Sequence, residues 1–174
     1  MPDSANSSLE PISHLIVMRH AKSDWSDASE SDHERSLNDR GRRDAPRVAQ
    51  ALVDAGWLPE QILSSDSQRT RETYEQMVSA FPHEVPGQFH ATLYHAGLSE
   101  ILAEAPSISE DVSILMVLGH NPGWQEAVHR LSGDYVTMKT ANAALLEGEG
   151  ADWADALRQR SSWRLVDVIR AREL

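Results

Sequence analysis

The sequence predicts an α/β protein built on a mostly parallel sheet with helices on both faces. Three observations carry this. Strand-like and helix-like apolar runs alternate along the chain, as βα repeats require. The run Ser113 to Leu118 is apolar without interruption, the signature of a strand buried on both faces. The chain of 174 residues, 40% hydrophobic and 25% charged, has the size and composition of one domain with a core.

The elements follow in order. Residues 1–11 are polar, lack the basic-then-apolar layout of a secretory signal, and are read as a flexible tail before a single domain over 12–174. His14 to Met18 is the first strand, and Ser26 to Leu37 a polar, acidic loop. Asn38 to Gly56 is helical, with Asn38 as N-cap and Gly56 as stop. Pro46 is expected to break it, with a restart capped by Asp44. Gln61 to Ser64 is a short strand. In Asp66 to Phe81, Tyr74, Met77, Val78 and Phe81 recur at helical spacing. Gln88 to Leu93 reads as a strand, Leu98 to Ala105 as a short helix and Ser113 to Leu118 as the buried strand. A helix opens at Pro122 and runs to Leu131. Ala141 to Glu147 and Trp163 to Ile169 are two late strands.

Composition narrows the function. A net charge of −11 argues against general nucleic-acid binding, which needs a basic face. The absence of cysteine removes disulfides, thiol catalysis and cysteine-ligated zinc. No apolar run reaches the length of a membrane span. A cytoplasmic monomer without cofactor or metal is expected, with no nucleic-acid or membrane partner.

Three strand ends carry the chemistry. The first strand ends at Arg19-His20, the second at Ser64-Ser65-Asp66-Ser67-Gln68-Arg69, and the buried strand at Gly119-His120-Asn121-Pro122-Gly123. In a parallel sheet these ends lie on one edge, where ligands bind. Two arginines and two histidines can therefore meet. Two guanidinium groups grip the oxygens of a phosphoryl group. One neutral imidazole attacks phosphorus, while a second, protonated, donates to the developing charge. The arginines supply the neutralising charge, so no metal is called for. Arg69 lies nearer the strand end than Arg71, which is assigned to solvent or a carboxylate. Ser23 and Asn121 are further candidates for substrate contact, although Asn121 serves equally as a helix cap. His33 and His95 are placed at the pocket rim, and Trp25 close to the histidine.

These motifs, with the stretch Leu15 to Trp25, the turn Arg35-Ser36-Leu37-Asn38 and the run Arg40-Gly41-Arg42-Arg43, resemble the histidine phosphatase superfamily, also called phosphoglycerate-mutase-like. Its SixA-type phosphohistidine phosphatases are the most similar. The resemblance spans about Leu15 to Glu147. It implies a three-layer α/β/α fold with a minimal cap, His20 as the phosphorylated nucleophile, and Arg19, Arg69 and His120 as the phosphate pocket. It implies a phosphorylated protein, or a small phosphorylated molecule, as substrate. Ala21 stands where the superfamily often has glycine. No general acid stands out. Asp24, Glu34 and Glu100 are the carboxylates in view, and a phosphohistidine substrate, whose nitrogen departs readily, needs such an acid least. The alternatives are a small phosphomonoesterase for sugar or nucleotide phosphates and a non-catalytic phosphoprotein-binding module.

Overall fold

A computed structural model describes residues 12–174, so the expected tail, 1–11, lies outside the described residues. Strand β1 (Ile12–Arg19) leads through a loop to helix α1 (Asp39–Asp54). Strand β2 (Gln61–Ser65), helix α2 (Gln68–Val78) and strand β3 (Gly87–His90) follow. Helix α3 (Leu98–Ala103) precedes strand β4 (Ile114–Gly119) and helix α4 (Gly123–Ser132). Strand β5 (Ala143–Glu149), helix α5 (Trp153–Arg158) and strand β6 (Arg164–Ile169) complete the order.

The strands form one sheet in the order β3-β2-β4-β1-β5-β6. β3, β2, β4 and β1 are mutually parallel, and β5 runs antiparallel to both β1 and β6. The sheet is therefore mostly parallel, as expected. β1 shows why it is covered twice. Leu15 and Val17 face one core with Trp124, Val128 and Leu131 of α4, Ile101 of α3 and Leu157 of α5. Ile16 and Met18 face a second core with Val48 and Leu52 of α1 and Met77 of α2. All four β1 side chains are fully buried, each stabilising the fold by roughly 1.5–3 kcal/mol before the entropy of chain ordering is set against it. The result is the three-layer α/β/α architecture that the sequence leads one to expect.

Several elements differ from expectation. α1 is one helix through Pro46, not two. Arg42, whose carbonyl loses its partner at Pro46, is exposed, so water can take that bond while Val48, Ala49 and Leu52 hold the helix to the sheet. Asp44 is no cap; it pairs with Arg40 at 3.5 Å within the helix. Asn38 does cap, accepting from the Gly41 N–H at 2.9 Å. The strand expected over Gln88 to Leu93 ends at His90, and Ala91–Leu93 forms a 3-10 turn. The helix expected to reach Ala105 ends at Ala103. α5 was not anticipated. It is short, and its only apolar signature is Trp153, Ala156 and Leu157, which all face the core.

Register brings the strand ends level. Arg19 pairs with Gly119 across β1 and β4, and Ser64 with Leu118 across β2 and β4. Gly123, the first residue of α4, sits so close to the 96–97 turn that a Cβ there would lie 1.7 Å from the Ala96 carbonyl oxygen. Only glycine permits that approach.

Candidate active site

Arg19 and His20 close β1. The Arg19 side chain is half-buried and its Nη1 donates to the Met138 carbonyl at 3.1 Å. Burial and the neighbouring Arg69 charge lower its pKa. His20 is 5% exposed. Its Nδ1–H donates to the Ala21 carbonyl at 2.7 Å, which fixes the tautomer and leaves Nε2 with a lone pair. Burial, with the charges of Arg69, Arg19 and Arg35, outweighs the Ala21 bond and pushes its pKa down to about 3. The imidazole is neutral at physiological pH.

Arg69 enters on the first turn of α2, whose cap is Ser67. It is 3% exposed. Its Nη1 donates to the Asp32 carbonyl at 2.5 Å and its Nη2 to the Asp32 carboxylate at 3.0 Å. Arg35, also buried, donates to the same carboxylate at 3.0 Å and to the Ser23 hydroxyl. The Tyr94 hydroxyl donates to Asp32 as well. These partners hold the Asp32 carboxylate well below the usual carboxylate range despite the cost of desolvation. Arg71 behaves as expected: its guanidinium donates to the Asp66 carbonyl and lies over Phe89, away from the site.

His120 follows β4. Its ring centroid lies 5.2 Å from that of His20. Its Nε2 is 2.9 Å from the Ser65 hydroxyl, and its Nδ1 is buried without a partner. Burial first, then the neighbouring His20 and Arg69, lower its pKa to about 2. The Nε atoms of Arg19, Arg35 and Arg69 are likewise buried and unpaired. Unpaired buried donors cost free energy, and the positive charge gathered beside two neutral imidazoles can attract an anion. A cleft of about 320 Å³ opens beside it, lined among others by His95, Gly97, Glu100, His120, Asn121 and Arg130.

The structure thus brings Arg19, His20, Arg69 and His120 together. Asn121 donates to the Met138 carbonyl that also receives Arg19, and its Oδ1 is buried and unpaired. Ser23 is buried, tied to the site through Arg35. His33 pairs with Asp66 at 2.9 Å, below Tyr94. Trp25 is 70% exposed and carries the Arg35 guanidinium 3.5 Å above its ring. The three carboxylates in view are otherwise engaged or exposed. Asp24 accepts from the Ser26 N–H, Glu34 is exposed, and Glu100 accepts from the Gly97 N–H at 2.9 Å. Asp32, Arg35 and Tyr94 are the site residues that sequence reasoning missed. The available signal for Asp32 was electrostatic: a buried Arg69 requires an anionic partner, and the adjoining loop is acidic. Among the described residues, no group of three or more His, Asp or Glu is placed to hold a metal ion, and no helix is long and apolar enough to cross a membrane.

Residues 15–101 match the family model of the histidine phosphatase superfamily, branch 1. The chain belongs to the histidine phosphatase superfamily. It is 40% identical over 166 residues to an uncharacterized chloroplastic protein of Arabidopsis thaliana, covering 89% of this chain and 76% of that one. The structure assigned as the phosphohistidine phosphatase SixA from Agrobacterium tumefaciens is 26% identical, with a TM-score of 0.75 over 92% of this chain and 98% of that one. The protein histidine phosphatase SixA complexed with tungstate, 18% identical, shares the fold with a TM-score of 0.77 over 92% of this chain and 98% of that one. Membership in this superfamily and these neighbours support phosphatase activity.

Two measurements probe the electrostatics of this superfamily site. His20 and His120 are neutral in the fold and accept a proton once unfolded, so the unfolded chain binds more protons below about pH 6.5. Stability falls as pH drops through that value. The expected loss between about pH 6.5 and 4.5 is on the order of 2 kcal/mol for each histidine. Urea unfolding across that range shows this slope in the wild type and a much shallower one in a His20→Gln/His120→Gln variant. Asp32→Ala removes the carboxylate facing two buried guanidinium groups, a loss of about 1–2 kcal/mol after allowance for the solvent exposure of Asp32. Its Tm drops by a few degrees, and saturating inorganic phosphate raises the variant's Tm more than the wild type's, because phosphate then becomes the anion those arginines face.

Proposed function

We propose that this protein is a metal-independent phosphatase that works through a phosphohistidine intermediate and acts on phosphohistidine in a protein. The observation that carries the reading is His20. Its Nδ1–H is committed to the Ala21 carbonyl, so a lone pair remains on Nε2. Its pKa, down to about 3, keeps that lone pair free at neutral pH. Burial does most to keep it neutral, and the guanidinium charges that add to that effect also attract a phosphoryl dianion.

The chemistry runs in two steps. Arg19 and Arg69 bind the equatorial oxygens. His20 Nε2 attacks phosphorus, the bond to the leaving atom breaks, and its electron pair departs with that atom. Water then attacks the phosphohistidine, the P–N bond breaks, and its pair returns to Nε2. His120 lies beside the transferring group. Burial chiefly keeps His120 neutral, and the arriving dianion offsets the neighbouring positive charge that adds to it, so its imidazole can hydrogen-bond an oxygen as charge develops.

Two features support phosphohistidine as substrate. The Asp32 and Glu100 carboxyl groups are both held as hydrogen-bonded carboxylates, with pKa values lowered chiefly by their partners. Asp32 and Glu100 are thus not free to protonate the alkoxide of an ester, whereas the imidazole nitrogen of phosphohistidine, a weaker base than an alkoxide, leaves on receiving a proton from a milder donor. The likeness to a structure assigned as a phosphohistidine phosphatase points the same way.

Rapid quenching during turnover is expected to trap acid-labile, base-stable phosphate on the wild-type protein, and none on His20→Ala, whose kcat/KM falls by at least about a thousandfold. Chelation leaves the rate unchanged. Phosphoramidate is turned over faster than an alkyl phosphate. Trapped phosphate on His20→Ala would overturn the mechanism, a strong preference for the alkyl ester would overturn the substrate class, and tight phosphate binding without turnover would make the protein a binding module.

A further inference from the structure

The phosphatase reading leaves one proton without a donor, the one a leaving nitrogen or oxygen takes up as it departs. The cleft is lined by two carboxylates, and both are engaged: Glu100 accepts from the Gly97 N–H, and Glu126 pairs with Arg130 at 2.9 Å. Asp32, beside the cleft, is committed to Arg69 and Arg35. The Tyr94 hydroxyl is spent on Asp32, and burial together with that carboxylate raises its pKa. Two imidazoles among the described residues line the cleft: that of His120 is buried and meets the Ser65 hydroxyl, whereas that of His95 is exposed and makes no hydrogen bond. Its side chain is 65% exposed, and its Nε2 lies 3.9 Å from the Asp32 carboxylate. Its ring stands 6.2 Å from that of His120 and 3.9 Å from that of Tyr94. An imidazole can both donate and accept a proton through its ring nitrogens, and the Asp32 carboxylate stands beside this one as a counter-charge.

The backbone gives a second, independent indication. His95 has φ +53°, the left-handed region. Non-glycine residues pay about 1 kcal/mol or more there, and such strain gathers at functional sites. Both sides of His95 are pinned. Before it, Tyr94 N–H closes the 3-10 turn onto the Ala91 carbonyl at 3.1 Å, with Leu93 fully buried. After it, the Ala96 carbonyl abuts Gly123, and the Gly97 N–H is held by Glu100. The left-handed residue thus sits between two fixed segments, and its side chain is part of the cleft lining.

We propose that His95 is the catalytic proton donor to the leaving group, an inference that rests on the phosphatase reading above. As His20 Nε2 attacks and the bond from phosphorus to the leaving atom breaks, the electron pair left on the departing group takes the proton from the His95 imidazolium. His95, now neutral, accepts a proton from the water that attacks the phosphohistidine. Its imidazolium is thereby restored as inorganic phosphate forms and His20 regains its lone pair. The Asp32 carboxylate holds the charge in place and so couples the proton donor to the arginine clamp.

The test separates substrates by their need for a proton. Phosphoimidazole expels its nitrogen as neutral imidazole only with a proton supplied, whereas 2,4-dinitrophenyl phosphate expels a stable anion. His95→Asn keeps a residue that tolerates positive φ. It is expected to lower kcat/KM about a hundredfold for phosphoimidazole, in the range of general acid catalysis, and less than about threefold for the dinitrophenyl ester, which also reports a folded site. Tyr94→Phe lowers both equally. Equal losses for His95→Asn on the two substrates, no loss on either, or the selective loss appearing in Tyr94→Phe would each overturn the role of His95. A wild-type protein that never forms a phosphoenzyme from either substrate would instead overturn the phosphatase reading beneath it.

Discussion

Everything at this site follows from crowding several guanidinium groups into one end of the sheet with a single carboxylate between them. Arg35 and Arg69 are buried, Arg19 is half-buried, and Asp32 is the carboxylate that two of the three touch. A guanidinium group does not give up its proton in a protein. The groups that can yield are the imidazoles, and both do. His20 and His120 are driven neutral by burial and by the adjacent positive charge. Burial contributes most, and the concentration of cations around the site acts in the same direction, leaving both imidazoles neutral. Burial and positive charge thus meet at one strand edge, in a chain whose net charge is −11.

Asp32 makes that concentration of charge tolerable in the folded state. By accepting from Arg69, Arg35 and Tyr94 it fixes each of them before any substrate arrives, so their ordering is not charged against binding. The loop carrying it is correspondingly well tied. Ser23 and Leu37 close its base as an antiparallel bridge, His33 pairs with Asp66, and the Gln68 N–H donates to the His33 carbonyl at 2.9 Å. A loop that reads as simply acidic and solvated is in fact the counterweight of the arginine clamp.

The contrast shows what a sequence can disclose. Arg19-His20, Arg69 and Gly119-His120 were legible because each is local: an apolar run, its abrupt polar end, and a rule about which edge of a parallel sheet collects such ends. Asp32 acts on Arg69 from 37 positions away and receives Tyr94 from 62 away. No periodicity encodes such a contact, and many acidic residues in the chain would have served an electrostatic argument equally well. The continuity of α1 through Pro46 was hidden for a related reason. Proline reports the local cost of a missing N–H, while the compensating burial of Val48 and Leu52 against β1 is a tertiary term.

The direction of β5 is the least legible feature and has the largest consequence for the site. A strand added parallel to β1 would bring its following loop to the catalytic edge. β5 runs the other way, with Ala143 opposite Met18, so the segment that precedes it arrives there instead. That segment does several things at once. The Arg19 N–H donates to the Asn142 carbonyl, and the Ala141 N–H donates to the His20 carbonyl, fixing the backbone of both residues. The Met138 carbonyl accepts from the Arg19 guanidinium and from the Asn121 amide, linking the first strand end to the loop after β4. Asn142 also accepts from the Ala171 N–H just beyond β6. A single reversed strand therefore turns three separate strand ends into one braced site, with Arg19 and Asn121 held by a carbonyl group of a segment that has no chemistry of its own.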